Sequence, residues 1–195
     1  MMKNIFITIL LLLFSCSLQG QNIIEWDGKY QLQLSDFQSP ATRIGDGNIS
    51  LIHSGSSFSF AFHMSNFEFM FAKNFNSKVN NPFNRSAASI VAPDTLTALN
   101  LLEFARYTFD LSELYARKFR KRLFEEKKMF SNTDFYLPIF NEVQKEFAER
   151  HTLDGKLTEL GQNQEKLKEL HDEVLREIEM LGDFCRICKP KKQKK

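Results

Sequence analysis

The sequence predicts an α+β fold: a small N-terminal antiparallel β layer packed on one long helix and two further helices. Three observations carry this. Between Ile23 and Phe75, apolar and polar residues alternate in short runs, as in Phe58-Ser59-Phe60-Ala61-Phe62, which is the period of half-buried strands. After Asp94 the period lengthens to that of a helix, and the pattern continues with few breaks to Leu181. Pro138 and Gly182 then punctuate the helical half. At 195 residues and 43% hydrophobic content, the chain suffices for one domain with a core and is short for two, so a single domain is expected over 22–184. The net charge of +2 supplies no global attraction to nucleic acid, and no nucleic-acid partner is expected.

The first element is a leader. Lys3 precedes an unbroken apolar run from Ile5 to Phe14, the length of a signal-peptide core and well under the ~20 residues of a membrane-spanning helix. Export to the periplasm or outer membrane follows. Two cleavage readings stand open. Leu13-Phe14-Ser15-Cys16 resembles a lipobox, which would leave a lipidated Cys16 after a leader of 1–15. Leu18-Gln19-Gly20 before Gln21 resembles an ordinary cleavage site ending a leader of 1–20.

Beyond it, Ile23 to Phe37 alternates through Trp26, Tyr30, Leu32 and Leu34 and is expected to be strand. Gln38 to Gly47 is a loop. Ile49 to Phe75 is a hairpin or small antiparallel sheet that includes Phe67-Glu68-Phe69-Met70-Phe71, and Asn74 to Asn84 is a turn-rich connection. The chain has 20 phenylalanines, many of them between Phe58 and Phe83, and these are expected to fill a core.

Asp94 or Thr95 caps a helix to about Met129, with Leu102, Ala105, Phe109, Ala116, Phe119 and Leu123 near one face. Arg117-Lys118 and Arg120-Lys121-Arg122 are placed on its solvated side, open to an anionic partner such as lipid headgroups. Pro138 marks the next start, with a helix over Ile139 to Arg150. A last helix from about Lys156 to Leu181 is ended by Gly182. Its seam of Leu160, Gln164, Leu167, His171, Val174, Ile178 and Leu181 is expected to dock within the same domain. His171 on that seam is expected to be a satisfied core histidine.

The most specific segment is Leu101-Leu102-Glu103-Phe104-Ala105-Arg106-Tyr107-Thr108-Phe109-Asp110, followed by Glu113, Ala116, Arg117 and Arg120. Its frame resembles the helix LL-x-HE-x-x-HFD of a bacterial envelope family described as zinc-dependent proteases, the domain-of-unknown-function family 922. In H-E-x-x-H, histidines four apart share one helical face and reach a single zinc ion, and the glutamate polarises the bound water. Here the family's histidines fall on Phe104 and Thr108 and its glutamate on Ala105. Two weaker matches accompany it. Leu32-Gln33-Leu34-Ser35-Asp36-Phe37 resembles L-x-W-x-DF, and His151-Thr152-Leu153-Asp154-Gly155 resembles T-x-HG, with Asp154 at the position of a third histidine. The resemblance implies a zincin-like outline without its catalytic groups. The expectation is therefore no catalytic residue, no metal and no cofactor, and action by binding an envelope protein, peptide or other component. A residual zinc-dependent hydrolase with rearranged ligands, and a structural lipoprotein, are the alternatives.

His53, His63, His151 and His171 are the four histidines, and none has another at i+4. With Asp110 and Glu113 they would have to converge to rebuild a metal site. Cys185-Arg186-Ile187-Cys188 lacks the second cysteine or histidine pair that zinc requires, and in an oxidising envelope is expected to be a disulfide. The run Lys189-Pro190-Lys191-Lys192-Gln193-Lys194-Lys195 is read as a disordered solubilising tail, or as one drawn to an anionic membrane surface.

Overall fold

A computed structural model describes residues 22–190 apart from Asp46, Phe62 and His63. The leader, Cys16 and the lysines from Lys191 onward lie outside these residues. The architecture is α+β. Short strands make three small sheets: β1 (Ile23–Glu25) runs antiparallel to β6 (Pro82–Asn84); β7 (Ser89–Ala92) lies between β2 (Arg43–Ile44), its parallel neighbour, and antiparallel β3 (Leu51–His53); β4 (Ser59–Phe60) pairs antiparallel with β5 (Val79–Asn80). The layer is thus antiparallel except at β2. In β7, Ile90 and Ala92 are buried while Ser89 and Val91 are not, so one face of the strand packs on the long helix α2 (Thr95–Glu126).

Turn chemistry overrode the predicted alternation twice. The strand expected over Ile23–Phe37 ends at Glu25, because Asp27 Oδ1 accepts from the amides of Lys29 and Tyr30, each at 2.8 Å, and Gly28 takes φ +73°. A 3-10 turn follows at Leu34–Asp36. Likewise Asn66–Phe71 is a short helix, α1, not strand: Ser65 Oγ caps it by accepting from Glu68 N at 3.2 Å. Helical spacing buries Phe69 and turns Phe67 and Phe71 outward as an i,i+4 pair. The supposed connection Asn74–Asn84 carries β5 and β6.

The helices fall near the predicted places with different ends. Asp94 Oδ1 caps α2, accepting from Thr97 N at 2.7 Å, and the apolar face from Leu102 to Leu123 is buried as expected. Helix α3 (Tyr136–Leu157) takes Pro138 into its first turn, where no amide is needed, and runs on through His151–Gly155. The T-x-HG-like element is therefore helical. Glu159 and Leu160, at φ +51° and +53°, and Gly161, at φ +93°, then reverse the chain. A Cβ on Gly161 would stand 2.2 Å from the carbonyl oxygen of Asn100, so glycine is what lets this corner touch α2. Consequently α4 is Gln164–Met180, capped by Asn163 and ended by Leu181, while Gly182 opens a 3-10 turn instead of closing the helix. Leu167, Val174 and Ile178 of the seam are buried against the same core as α2.

Phe58, Phe69, Phe75 and Phe83 are core residues, and Phe58 meets Phe119, Phe140 and Phe147 at ring distances of 6.4, 5.8 and 6.0 Å. Phe67 and Phe71 depart from that expectation and face solvent. The larger correction concerns the basic half of α2. Arg117 and Arg120 are 7% and 1% exposed, not solvated. Glu113 Oε1 accepts from Arg117 Nε at 2.9 Å and from Arg120 Nη1 at 2.8 Å. The guanidinium groups also reach the carbonyls of Val79, Ile178 and Phe184, tying α2 to β5, α4 and the C-terminal turn. Lys118, Lys121 and Arg122 do lie at the surface, paired with Glu177, Glu125 and Glu126.

Candidate functional site

The positions that would ligate zinc in the resembling helix are sealed. Phe104 is buried, with its ring 5.5 Å from His151 and 5.9 Å from Tyr107. Its Cζ would lie only 3.3 Å from a Cβ on Gly155, which gives the Gly of the α3 element its reason: it admits the Phe104 ring. Ala105 is buried in the neighbouring cluster. Thr108 is buried, and its hydroxyl donates to the carbonyl of Phe104 at 2.9 Å, one turn back along the helix. Phe104 and Ala105 have no metal-donor atom, and the Thr108 oxygen is a neutral, buried hydroxyl, a poor zinc ligand. Asp154 is buried too, accepting from the Tyr107 hydroxyl and lying 3.4 Å from Arg150 Nε. Arg150 also pairs with Glu177. Burial, reinforced by the Asp154 carboxylate, pushes the Tyr107 hydroxyl far above its ordinary range, so it acts only as a donor.

His151 lies in this sealed region between Phe104 and Phe147, nearly parallel to the latter at 5.8 Å. Burial holds its imidazole below the ordinary value of 6.5, with Asp154 pulling weakly the other way. The folded state therefore binds this proton less readily than the unfolded chain. Stability is full above about pH 6.5 and declines as pH falls below it, until the folded-state pKa is passed. Urea unfolding of the protein should show this acid-side decline, and His151→Phe, which keeps a ring between Phe104 and Phe147, should flatten it.

Half a helical turn from Thr108, the surface opens. A cavity of about 320 Å³ lies between the N-terminal segment, α2 and α4, lined by Trp26, Tyr30, Arg106, Asp110, His171 and Leu175 among others. Asp110 organises it. Its Oδ1 accepts from Trp26 Nε1 at 2.6 Å, and its Oδ2 shares a 2.7 Å hydrogen bond with His171 Nε2. Asp110 and His171 side chains are 20% and 25% exposed, so both are held yet reachable. The Tyr107 ring stands edge-on to His171 at 5.8 Å. Arg106 closes one rim by donating to the carbonyl of Leu32 at 2.9 and 2.7 Å. Arg117 lies 5.3 Å over the Trp26 ring, so the buried ion cluster also supports the cleft. A carboxylate that fixes one imidazole nitrogen leaves Nδ1 as the ring's remaining polar atom, suited to a hydrogen bond with a ligand.

His171 is thus not the enclosed core histidine expected from its seam, but a cleft residue. Its signal in the sequence was a titratable side chain on a seam that is otherwise apolar except for Gln164. Asp110 stood at the end of the quoted motif, while Trp26, 84 residues away, gave no local hint. His53 lies exposed on β3, and His63 falls outside the described residues. Among the described residues no three His, Cys, Asp or Glu side chains gather as a metal would require. Asp36 of the L-x-W-x-DF-like segment is buried, accepting from Tyr30 Oη at 3.0 Å and Gln33 N at 2.8 Å, with Arg85 Nε at 3.1 Å. It props the cleft wall from behind. Cys185 and Cys188 are joined in a disulfide. No protein family, curated protein or solved structure matches this chain.

Proposed function

We propose that this is an exported, non-catalytic protein of the cell envelope, built on a zincin-like frame resembling the zinc-dependent protease family 922, which acts by binding a peptide or protein segment in the Trp26–Asp110–His171 cleft. The observation that supports the reading is one of adjacency. Phe104, Ala105 and Thr108 fill the motif positions with two buried side chains that have no lone pair and one neutral, buried hydroxyl that is a poor zinc ligand, while Asp110, two residues on, lines an open cavity. These residues do not fit zinc, so no chemical step through a metal is derived. The cleft offers an apolar wall, the aromatic rings of Trp26, Tyr30 and Phe109, and a few converging polar groups, the usual make-up of a binding site.

Two measurements test this. After incubation with zinc and exhaustive dialysis, the purified protein should hold metal at background by elemental analysis. Near-stoichiometric zinc would overturn the reading. Crosslinking in envelope extracts should yield a reproducible partner, reduced about tenfold or more by Leu175→Arg, which crowds the exposed cleft wall. A partner indifferent to that change would place binding elsewhere. One second reading is a zinc-dependent hydrolase with rearranged ligands, in which Asp110 and His171, already 2.7 Å apart, would both have to serve as ligands. That reading requires bound zinc and activity lost on chelation.

A further inference from the structure

A second surface shares no residue with the cleft. Helix α1 turns Phe67 and Phe71 to solvent, 74% and 59% exposed, with their rings 5.0 Å apart. The chain between α2 and α3 adds Met129 at 52% and Phe130 at 84%. Asn66, Met70, Met129 and Phe130 line one shallow depression of about 610 Å³, and Phe67 and Phe71 stand on the adjoining flank of the same short helix. Large apolar side chains standing singly need no explanation, but four in one region do.

The charges around them are distinctive. Lys73 is exposed and lies 5.3 Å over the Phe124 ring, and Lys128 is exposed beside Met129, whereas Lys127 is 1% exposed, its ammonium held 4.3 Å over Phe69 and donating to the carbonyl of Lys128 at 2.6 Å. Among the described residues neither Lys73 nor Lys128 forms an ion pair, whereas Lys118, Lys121 and Arg122 of the preceding α2 turns all do. Of the nearby carboxylates, Asp134 lines the depression, Glu68 lies on α1, and Glu125 and Glu126 are paired with Lys121 and Arg122. The C-terminal segment arrives at the same place. The amide groups of Asn74 and Asn76 each donate to the carbonyl of Cys188 at 3.1 Å, and the Cys185–Cys188 disulfide closes the turn held there. Lys189 therefore departs beside Lys73, and the sequence supplies Lys191, Lys192, Lys194 and Lys195 immediately after. Ile187, on the same turn, is 90% exposed.

We infer that this surface docks on an anionic lipid bilayer. Phenylalanine and methionine enter the boundary between headgroups and acyl chains, while lysine stems lie along the apolar surface and carry their ammonium groups to the phosphates. A second copy of the chain fits poorly, because pairing two such surfaces would bring their lysines together. A bilayer supplies both the apolar layer and the opposite charge. Each lysine near an anionic surface adds roughly fivefold to the partition, screened by salt.

The test is sedimentation of the protein starting at Gln21, without an acyl anchor, with vesicles of phosphatidylcholine containing phosphatidylglycerol, and with phosphatidylcholine alone. Binding is expected to the anionic vesicles only and to weaken with salt. Phe67→Ser, Phe71→Ser and Phe130→Ser together should reduce it about tenfold or more with an unchanged urea midpoint, since all three are exposed. Replacing Lys189, Lys191, Lys192, Lys194 and Lys195 by Gln should also reduce it. No binding to anionic vesicles overturns the inference. So does binding that the phenylalanine triple leaves intact, which would assign the effect to the tail alone. A dimer in solution that the same triple dissolves would assign the surface to self-association instead.

Discussion

Glu113→Leu is expected to destabilise the protein by about 3–5 kcal/mol in urea unfolding, because it leaves the guanidinium groups of Arg117 and Arg120 buried without an anion. Both arginines bond Glu113 Oε1, and Arg120 is 1% exposed, so neither can swing to water without breaking its carbonyl contacts. Burial already weakens the hold of Arg120 on its proton, and the Glu113 carboxylate opposes that. Removing charge on both sides should behave differently. Glu113→Leu with Arg117→Met and Arg120→Met should recover much of the loss, since apolar replacement of a whole buried ion cluster is often close to neutral. A triple variant as unstable as the single one would show that the carbonyl contacts to Val79, Ile178 and Phe184 dominate, rather than the charges.

Phe104→Ala is the second large effect, again about 3–5 kcal/mol. The Phe104 ring fills the space between α2 and the last turns of α3, against His151, Tyr107 and the bare Cα of Gly155. Helices fixed by the Gly161 corner cannot close on the void. The loss should be readable in the urea midpoint. It should also appear at His151, whose NMR titration is expected to move up toward its ordinary value as water reaches the imidazole. An unchanged titration with a lowered midpoint would mean that Phe147, rather than Phe104, is what keeps His151 dry.

The helical half was legible because its signals are long and redundant. Asp94 announced α2, and its apolar face from Leu102 to Leu123 repeats over many turns, so a local exception could not mislead. The β half rests on strands of two to four residues, too short for alternation to outweigh a single cap. Asp27 and Ser65 each redirected the chain with one or two hydrogen bonds. Arg117 and Arg120 were misplaced for another reason: a run of basic residues ordinarily faces water, and the carboxylate that permits their burial, Glu113, is one or two turns back, while their other partners are backbone carbonyls of distant segments. Likewise the motif around Phe104 pointed to the right helix, and the residues that build the open cleft had to be brought to it from Trp26 and His171.

Trp26 has a practical consequence. The chain contains one tryptophan, and its indole N–H is bonded to the aspartate that also holds His171. Native ultraviolet fluorescence of this protein is therefore an unlabelled optical probe of a single place, the cleft. Occupancy there can be followed by titration without attaching a dye.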